Sequence, residues 1–274
     1  SRDWSSDVCS SDLLLATAVL AATAAAAESP RAPKIHLAGD STMADKPTTP
    51  PNPEHGWGQL FPRFFTDPTM IVNYAANGKS TRSFIAEGRW QKLVDALQPG
   101  DWVIIQFAHN DEKIFPNARG EFQENLRGFV ADVRAKGANP LLATPCARRA
   151  WDETGHLINS HGDYPEALRA VAVETKVPLL ELNQLTTGLE QGHGIEGSKL
   201  LHLWIPAGVY SRQAAAYEDN THYSAYGAER VAALAVQEII RLKLPLVNWV
   251  RLYPAGDGPA PVSAPPDRKS TRLN

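Results

Sequence analysis

Ile35-His36-Leu37-Ala38-Gly39-Asp40-Ser41-Thr42 is the stretch on which the fold reading turns. A short apolar run that ends in glycine and then a hydroxyl residue is how a parallel sheet delivers a nucleophile to the carboxyl edge of a strand. Gly39 permits a tight strand-to-helix turn, and Asp40 can cap the segment after it. Ser41 then lies near helical amides whose partial positive charge suits a developing oxyanion. Gly, Asp and Ser are also ordinary turn residues, so a plain junction fits the same letters.

Working outward, four more apolar runs resemble the first. Residues 35–38, 70–74, 102–107, 140–144 and 177–182 read as strands. Residues 56–65, 121–136, 162–176 and 224–244 read as helices from their apolar spacing, the last ended by Pro245. Strands alternating with helices predict an α/β fold, a five-stranded parallel sheet in a three-layer α/β/α sandwich. With 274 residues, 43% of them hydrophobic and 21% charged, the chain suffices for one such domain, placed at 33–250. A net charge of -3 gives no reason to expect nucleic acid as a partner.

The flanks read differently. Residues 1–12 are polar and acidic and read as a non-native terminal segment. Residues 13–27 are rich in Leu, Ala and Val, end in Ala25-Ala26-Ala27, and are too short to span a bilayer. They read as the apolar stretch of a secretory signal, which predicts a secreted protein, periplasmic or extracellular, with no membrane segment in its mature form. Residues 251–274 read as a loose tail with a non-native end. Cys9 and Cys146 do not make a disulfide framework, and no Cys pair or helical His spacing suggests a metal site.

Three strand ends and one loop carry the candidate chemistry. After residues 70–74 comes Ala75-Ala76-Asn77-Gly78-Lys79-Ser80-Thr81; a nucleotide P-loop needs glycine at position 73, which is Asn. Gly78 instead offers a backbone amide at the same sheet edge as Ser41. The third strand ends in Ala108-His109-Asn110-Asp111, where Asn110 supplies a neutral NH₂ donor and Asp111 can cap the next segment. Ahead of the last helix stands Asp219-Asn220-Thr221-His222, read as a loop. Asp and His three apart there can face one cleft as base and orienting carboxylate, or can serve as a helix cap and an exposed imidazole.

In this order Ser41, Gly78, Asn110 and His222 resemble the SGNH (GDSL) hydrolase family, over roughly residues 33–245. More narrowly, 39–42, 73–81, 106–111, 161–165 and 219–222 are similar to the rhamnogalacturonan acetylesterase family. The resemblance implies a flavodoxin-like sheet and an esterase with catalytic Ser41, Asp219 and His222. It also implies an oxyanion hole from the Ser41 and Gly78 amides and the Asn110 side chain, with no cofactor. The substrate it implies is an acetylated pectic polysaccharide or oligosaccharide; acetylated xylan, another small ester, or a silent carbohydrate-binding protein are the alternatives, and a monomer is expected. Lys79, Arg82, Arg148 and Arg149 follow strand ends and either meet uronic-acid carboxylates or are solvated charges. Trp151, Trp204, Tyr210 and Tyr223 either stack on sugars or belong to the core. One position departs from the family pattern: the third block usually opens with Gly, and here it is Ala108, whose methyl group is expected to alter the loop's backbone.

Overall fold

The structure, a computed structural model, describes residues 31–49, 51–210 and 215–251. The segments 1–12 and 13–27 and all of the tail but Arg251 lie outside the described residues.

The strands are β1 (Ile35–Gly39), β2 (Glu54–His55), β3 (Ile71–Asn73), β4 (Trp102–Gln106), β5 (Asn139–Ala143), β6 (Leu179–Leu180), β7 (His202–Ile205) and β8 (Tyr217–Ser224). The α-helices are α1 (Trp57–Leu60), α2 (Thr81–Ala86), α3 (Arg89–Ala96), α4 (Glu121–Ala135), α5 (Tyr164–Thr175), α6 (Leu182–Gly197) and α7 (Ala225–Arg241). Five strands form one parallel sheet in the order β3-β1-β4-β5-β6. This is the doubly wound, flavodoxin-like order, with its switch point between β1 and β4.

Burial explains why these runs became strands. All five residues of β1 and of β4 are buried, and along β4 they alternate between two cores. Val103 and Ile105 pack with Trp90, Phe122 and Leu168 of α3, α4 and α5, whereas Trp102 and Ile104 pack with Trp57, Val231 and Ala235 of α1 and α7. A sheet covered on both faces needs continuous apolar strands, and each fully buried Leu, Ile or Phe stabilises by about 1.5–3 kcal/mol. The expected helix at 56–65 is shorter, a turn of α-helix followed by a 3-10 turn over Phe61–Phe64, since Pro62 has no N–H to continue an α-helical ladder.

A second sheet is an addition to the sequence reading. It is antiparallel, ordered β2-β8-β7, and β8 runs straight into α7. Ser224 caps α7 by accepting from the Gly227 N–H at 3.1 Å and itself donates to the Leu200 carbonyl at 2.6 Å. A Cβ on Gly227 would lie 1.9 Å from the Leu201 oxygen, so only glycine lets the helix start sit against β7. The hairpin is thereby fixed to the helix that covers the sheet.

Candidate active site

Register decides which loops meet. Gly39 pairs with Gln106, so the chain leaving β1 and the chain leaving β4 emerge side by side. The Ala76 N–H donates to the Gly39 carbonyl at 3.1 Å, bringing the loop after β3 to the same edge. Gly39 is required there by space, because a Cβ would lie 2.9 Å from the Gln106 carbonyl oxygen.

No helix follows Ser41. Residues 40–44 make a single turn in which the Asp40 carbonyl accepts from Met43 and Ala44, and the next helix begins at Trp57. The helical amides expected beside Ser41 are replaced by this turn, whose shape is held by the Asp40 side chain. That carboxylate accepts from the Thr42 N–H at 2.9 Å and its hydroxyl at 2.8 Å, and faces His109 Nδ1 at 3.2 Å. Burial alone raises the Asp40 pKa, but His109 and the two Thr42 bonds outweigh it and hold the group at about 2. Burial pushes the His109 imidazole below its ordinary value.

Ser41 is 7% exposed, and its Oγ lies 2.8 Å from His222 Nε2 across 181 positions of sequence. His222 Nδ1 lies 2.7 Å from Asp219 Oδ2. The other Asp219 oxygen accepts from the N–H groups of Thr221 at 2.6 Å and His222 at 2.9 Å, and the Tyr217 hydroxyl donates to Oδ2 at 3.1 Å. Partial burial opposes charge on Asp219; the His222 ring and the two amides outweigh it and hold the carboxyl well below the usual carboxylate range. With the carboxylate ionised, Nδ1 carries the ring proton and Nε2 faces the serine with a lone pair.

Asp219 and His222 stand within β8 rather than in a free loop. Leu203 pairs with Asp219 and the adjacent His202 pairs with Tyr223, so Asn220, Thr221 and His222 form a three-residue bulge that swings the imidazole toward Ser41.

The opposite wall is made by Gly78 and Asn110. Gly78 has φ +71°, a conformation open to glycine at little cost. Among the described residues, neither its N–H nor that of Ser41 donates a hydrogen bond. One Asn110 N–H donates to the Lys79 carbonyl at 3.1 Å, tying the two loops together, and its Oδ1 accepts from Lys113 Nζ at 3.1 Å. Asp111 adds a second tie: its Oδ1 accepts from the Thr81 N–H at 2.8 Å and hydroxyl at 2.6 Å, while burial pushes its carboxyl up to about 7. Asp111 therefore spans two loops instead of capping its own segment. Ala108 has φ +148°, which L residues rarely adopt, in a fully buried position. This is the place where the sequence departs from the family's glycine.

The basic residues are already engaged. Lys79 pairs with Glu87 at 2.5 Å, Arg82 makes two bonds to Glu121, one of 2.7 Å, and Arg148 pairs with Glu112 and donates to the Ser160 carbonyl at 3.1 Å. Arg149 corrects its sequence reading: it is buried, with its guanidinium donating to Ser198 Oγ at 3.1 Å, Asn220 Oδ1 at 3.2 Å and the Ile195 carbonyl at 2.6 Å. It braces the bulge that carries His222 rather than facing solvent. Tyr223 is buried to 1% exposure and belongs to the core, which removes it as a sugar-stacking face. The Arg149 guanidinium and the Lys199 ammonium both lie over the Trp204 ring, at 4.7 and 4.6 Å from its centroid.

Several supports went unread in the sequence. Gln106, fully buried, accepts from the Trp57 indole at 2.9 Å and donates to the Thr144 carbonyl at 3.3 Å beneath the serine turn. Lys46, with a side chain 1% exposed, pairs with Glu54 at 2.6 Å and also holds Asn77 beside Gly78. A polar residue ending an otherwise apolar strand was the available sign for Gln106; nothing local marks Lys46.

Residues 37–230 match the model of the GDSL-like lipase/acylhydrolase family. The chain is 40% identical over 220 residues to the rhamnogalacturonan acetylesterase RhgT of Bacillus subtilis, covering 78% of this chain and 92% of that protein. The crystal structure of YxiM from Bacillus subtilis superposes with a TM-score of 0.66 at 28% identity, over 78% of this chain and 57% of that one. Axe2, an acetylxylan esterase from Geobacillus stearothermophilus, shares the fold at 20% identity and a TM-score of 0.52, over 76% of this chain and 94% of that one.

Proposed function

The chain belongs to the GDSL-like lipase/acylhydrolase family and is a carboxylic ester hydrolase, and from that premise we propose that it removes acetyl groups from pectic rhamnogalacturonan through Ser41, His222 and Asp219. The observation that carries the chemistry is the unbroken hydrogen-bond chain from Ser41 Oγ to His222 to Asp219. A serine hydroxyl is a poor nucleophile at neutral pH, and an imidazole within hydrogen-bond reach is the base it needs.

In the reaction Ser41 Oγ attacks the acetyl carbonyl as its proton passes to His222 Nε2. The imidazolium so formed is stabilised by the Asp219 carboxylate. The carbonyl oxygen becomes an oxyanion that accepts from the Ser41 and Gly78 amides and the Asn110 side chain. Collapse expels the sugar alkoxide, which takes the proton from Nε2, leaving acetyl-Ser41. Water then repeats the sequence, losing a proton to Nε2 as it attacks, and acetate leaves as Ser41 recovers its hydrogen.

The substrate reading is supported by the RhgT similarity over 92% of that protein's length. An open cleft of about 470 Å³ is lined by Glu112, Asn117, Ser160, Asp163 and Tyr164. Secretion, read from the signal-like residues 13–27, fits a polymeric substrate that does not enter cells. Acetate release from acetylated rhamnogalacturonan, acetylated xylan and an aryl acetate tests the reading, with Ser41→Ala as control. We expect the pectic substrate to be preferred and Ser41→Ala to lose about 10⁴-fold or more in kcat. Preference for xylan would move the substrate, and an active Ser41→Ala would end the mechanism.

A further inference from the structure

We propose that Glu190 and His202 form a buried proton-sharing pair whose Nδ1–H holds the main-chain carbonyl of His222, making His202 a positioning residue for the general base. This rests on the reading of His222 as that base.

The proton count is set by the neighbours. The His202 ring is fully buried, with Nε2 at 2.5 Å from Glu190 Oε1 and Nδ1 at 3.2 Å from the His222 carbonyl oxygen. A carboxylate and a carbonyl only accept, so a neutral imidazole with one N–H leaves one of these contacts as two lone pairs face to face. The pair resolves this by holding one more proton than a neutral imidazole and a carboxylate would. That proton lies either on Nε2, giving an imidazolium and a carboxylate, or on Glu190. In both placements Nδ1 keeps its hydrogen and donates it to His222. Among the described residues Glu190 Oε2 is buried without a partner, which leaves His202 as the group toward which the acid is committed.

The bulge explains why such a donor is needed. Residues 220–222 have left the β7 ladder, so their backbone groups must be met from elsewhere. The Asn220 carbonyl accepts from the Arg149 N–H at 2.9 Å, and the amides of Thr221 and His222 donate to Asp219. The His222 carbonyl is met by His202, which also stacks on Tyr223 with ring centroids 5.0 Å apart. Holding the His222 carbonyl fixes the backbone from which Cβ and the imidazole project, and small errors in the placement of that ring are expensive in rate. A buried ion pair is a poor source of stability compared with apolar packing, so its use here is in geometry.

Two measurements test this. ¹⁵N–¹H correlation spectra of the histidine-labelled wild-type protein at pH 7, with His202 assigned from its variants, should show a proton on His202 Nδ1. An Nε2–H tautomer with bare Nδ1 overturns the proposal, and this readout needs no variant to be active. The second compares two uncharged double variants. His202→Asn with Glu190→Gln keeps an N–H where Nδ1 stood, whereas His202→Leu with Glu190→Leu fills the space without a donor. On an aryl acetate we expect the first to keep kcat within about threefold and the second to lose about 10- to 100-fold with KM unchanged. Equal kcat in the two folded variants overturns the positioning role. Loss of Ser41 dependence in wild type would instead fault the esterase reading, leaving the tautomer result standing.

Discussion

The two walls of the site are built by opposite means. The wall of the proposed nucleophile, Ser41, hangs from β1 and β4, whose residues are all buried and whose loops are placed by strand register. The wall of the proposed base, His222, hangs from β8, where Tyr223 alone of eight residues is buried and the bulge carrying His222 is held by Asp219, Arg149 and His202. Hydrophobic burial places one wall and hydrogen bonds to a bulge place the other. The turn carrying Ser41 depends in addition on the buried side chains of Asp40 and Gln106, and in either wall each buried group left unpaired costs about 1–3 kcal/mol.

The largest effect should come from the base wall. Asp219→Asn keeps an oxygen for the Thr221 and His222 amides but removes the charge opposite Nδ1, and kcat on an aryl acetate should fall about 10⁴-fold with the fold intact by circular dichroism. On the nucleophile wall, Asn110→Ala removes one oxyanion donor and should lower kcat by about 10²- to 10³-fold, with KM little changed. A smaller loss from Asp219→Asn than from Asn110→Ala would reverse the contrast between the walls.

Next in size is a pH effect on stability. Burial pushes the folded Asp111 carboxyl up to about 7, against about 4 in the unfolded chain. The folded state thus binds this proton more tightly, and its stability falls as pH rises from about 4 to about 7, by an amount on the order of a few kcal/mol. Asp111→Asn should flatten that part of a urea-denaturation pH series, and an unchanged slope would show that the carboxyl ionises freely. Smallest of all is Ala108→Gly. Relief of the φ +148° backbone is offset by the lost buried methyl and the freer unfolded chain, so stability should stay within about 1 kcal/mol of wild type in the same assay.

The same contrast explains what the sequence made legible. The parallel strands are apolar runs bounded by Gly, Pro and Asn, and all five stand where their composition put them. Ser41, Gly78 and Asn110 could be picked out because each lies just past the end of such a run. The antiparallel sheet was hidden: Tyr217-Glu-Asp-Asn-Thr-His-Tyr-Ser224 has no alternation to betray a strand, and its partner β2 has two residues. Helix α6 was hidden by four glycines, one of which, Gly194, breaks the helix with φ +69° and ψ 179°. The spacing of Asp219 and His222 left two readings open, and the family resemblance chose between them without showing their setting. Arg149 was misplaced because the groups that claim it, Ile195, Ser198 and Asn220, lie 46 to 71 positions away. Pairing at that distance depends on the finished fold and leaves no local trace.

Coupling between the walls is the central claim, and an organophosphate that phosphorylates activated serines and is not turned over reads it directly. Mass spectrometry of digested wild-type protein should find one label per chain, on the peptide holding Ser41, and His222→Ala should take up label slower by orders of magnitude. A label on another residue, or the same rate of Ser41 labelling without the imidazole, would contradict the account.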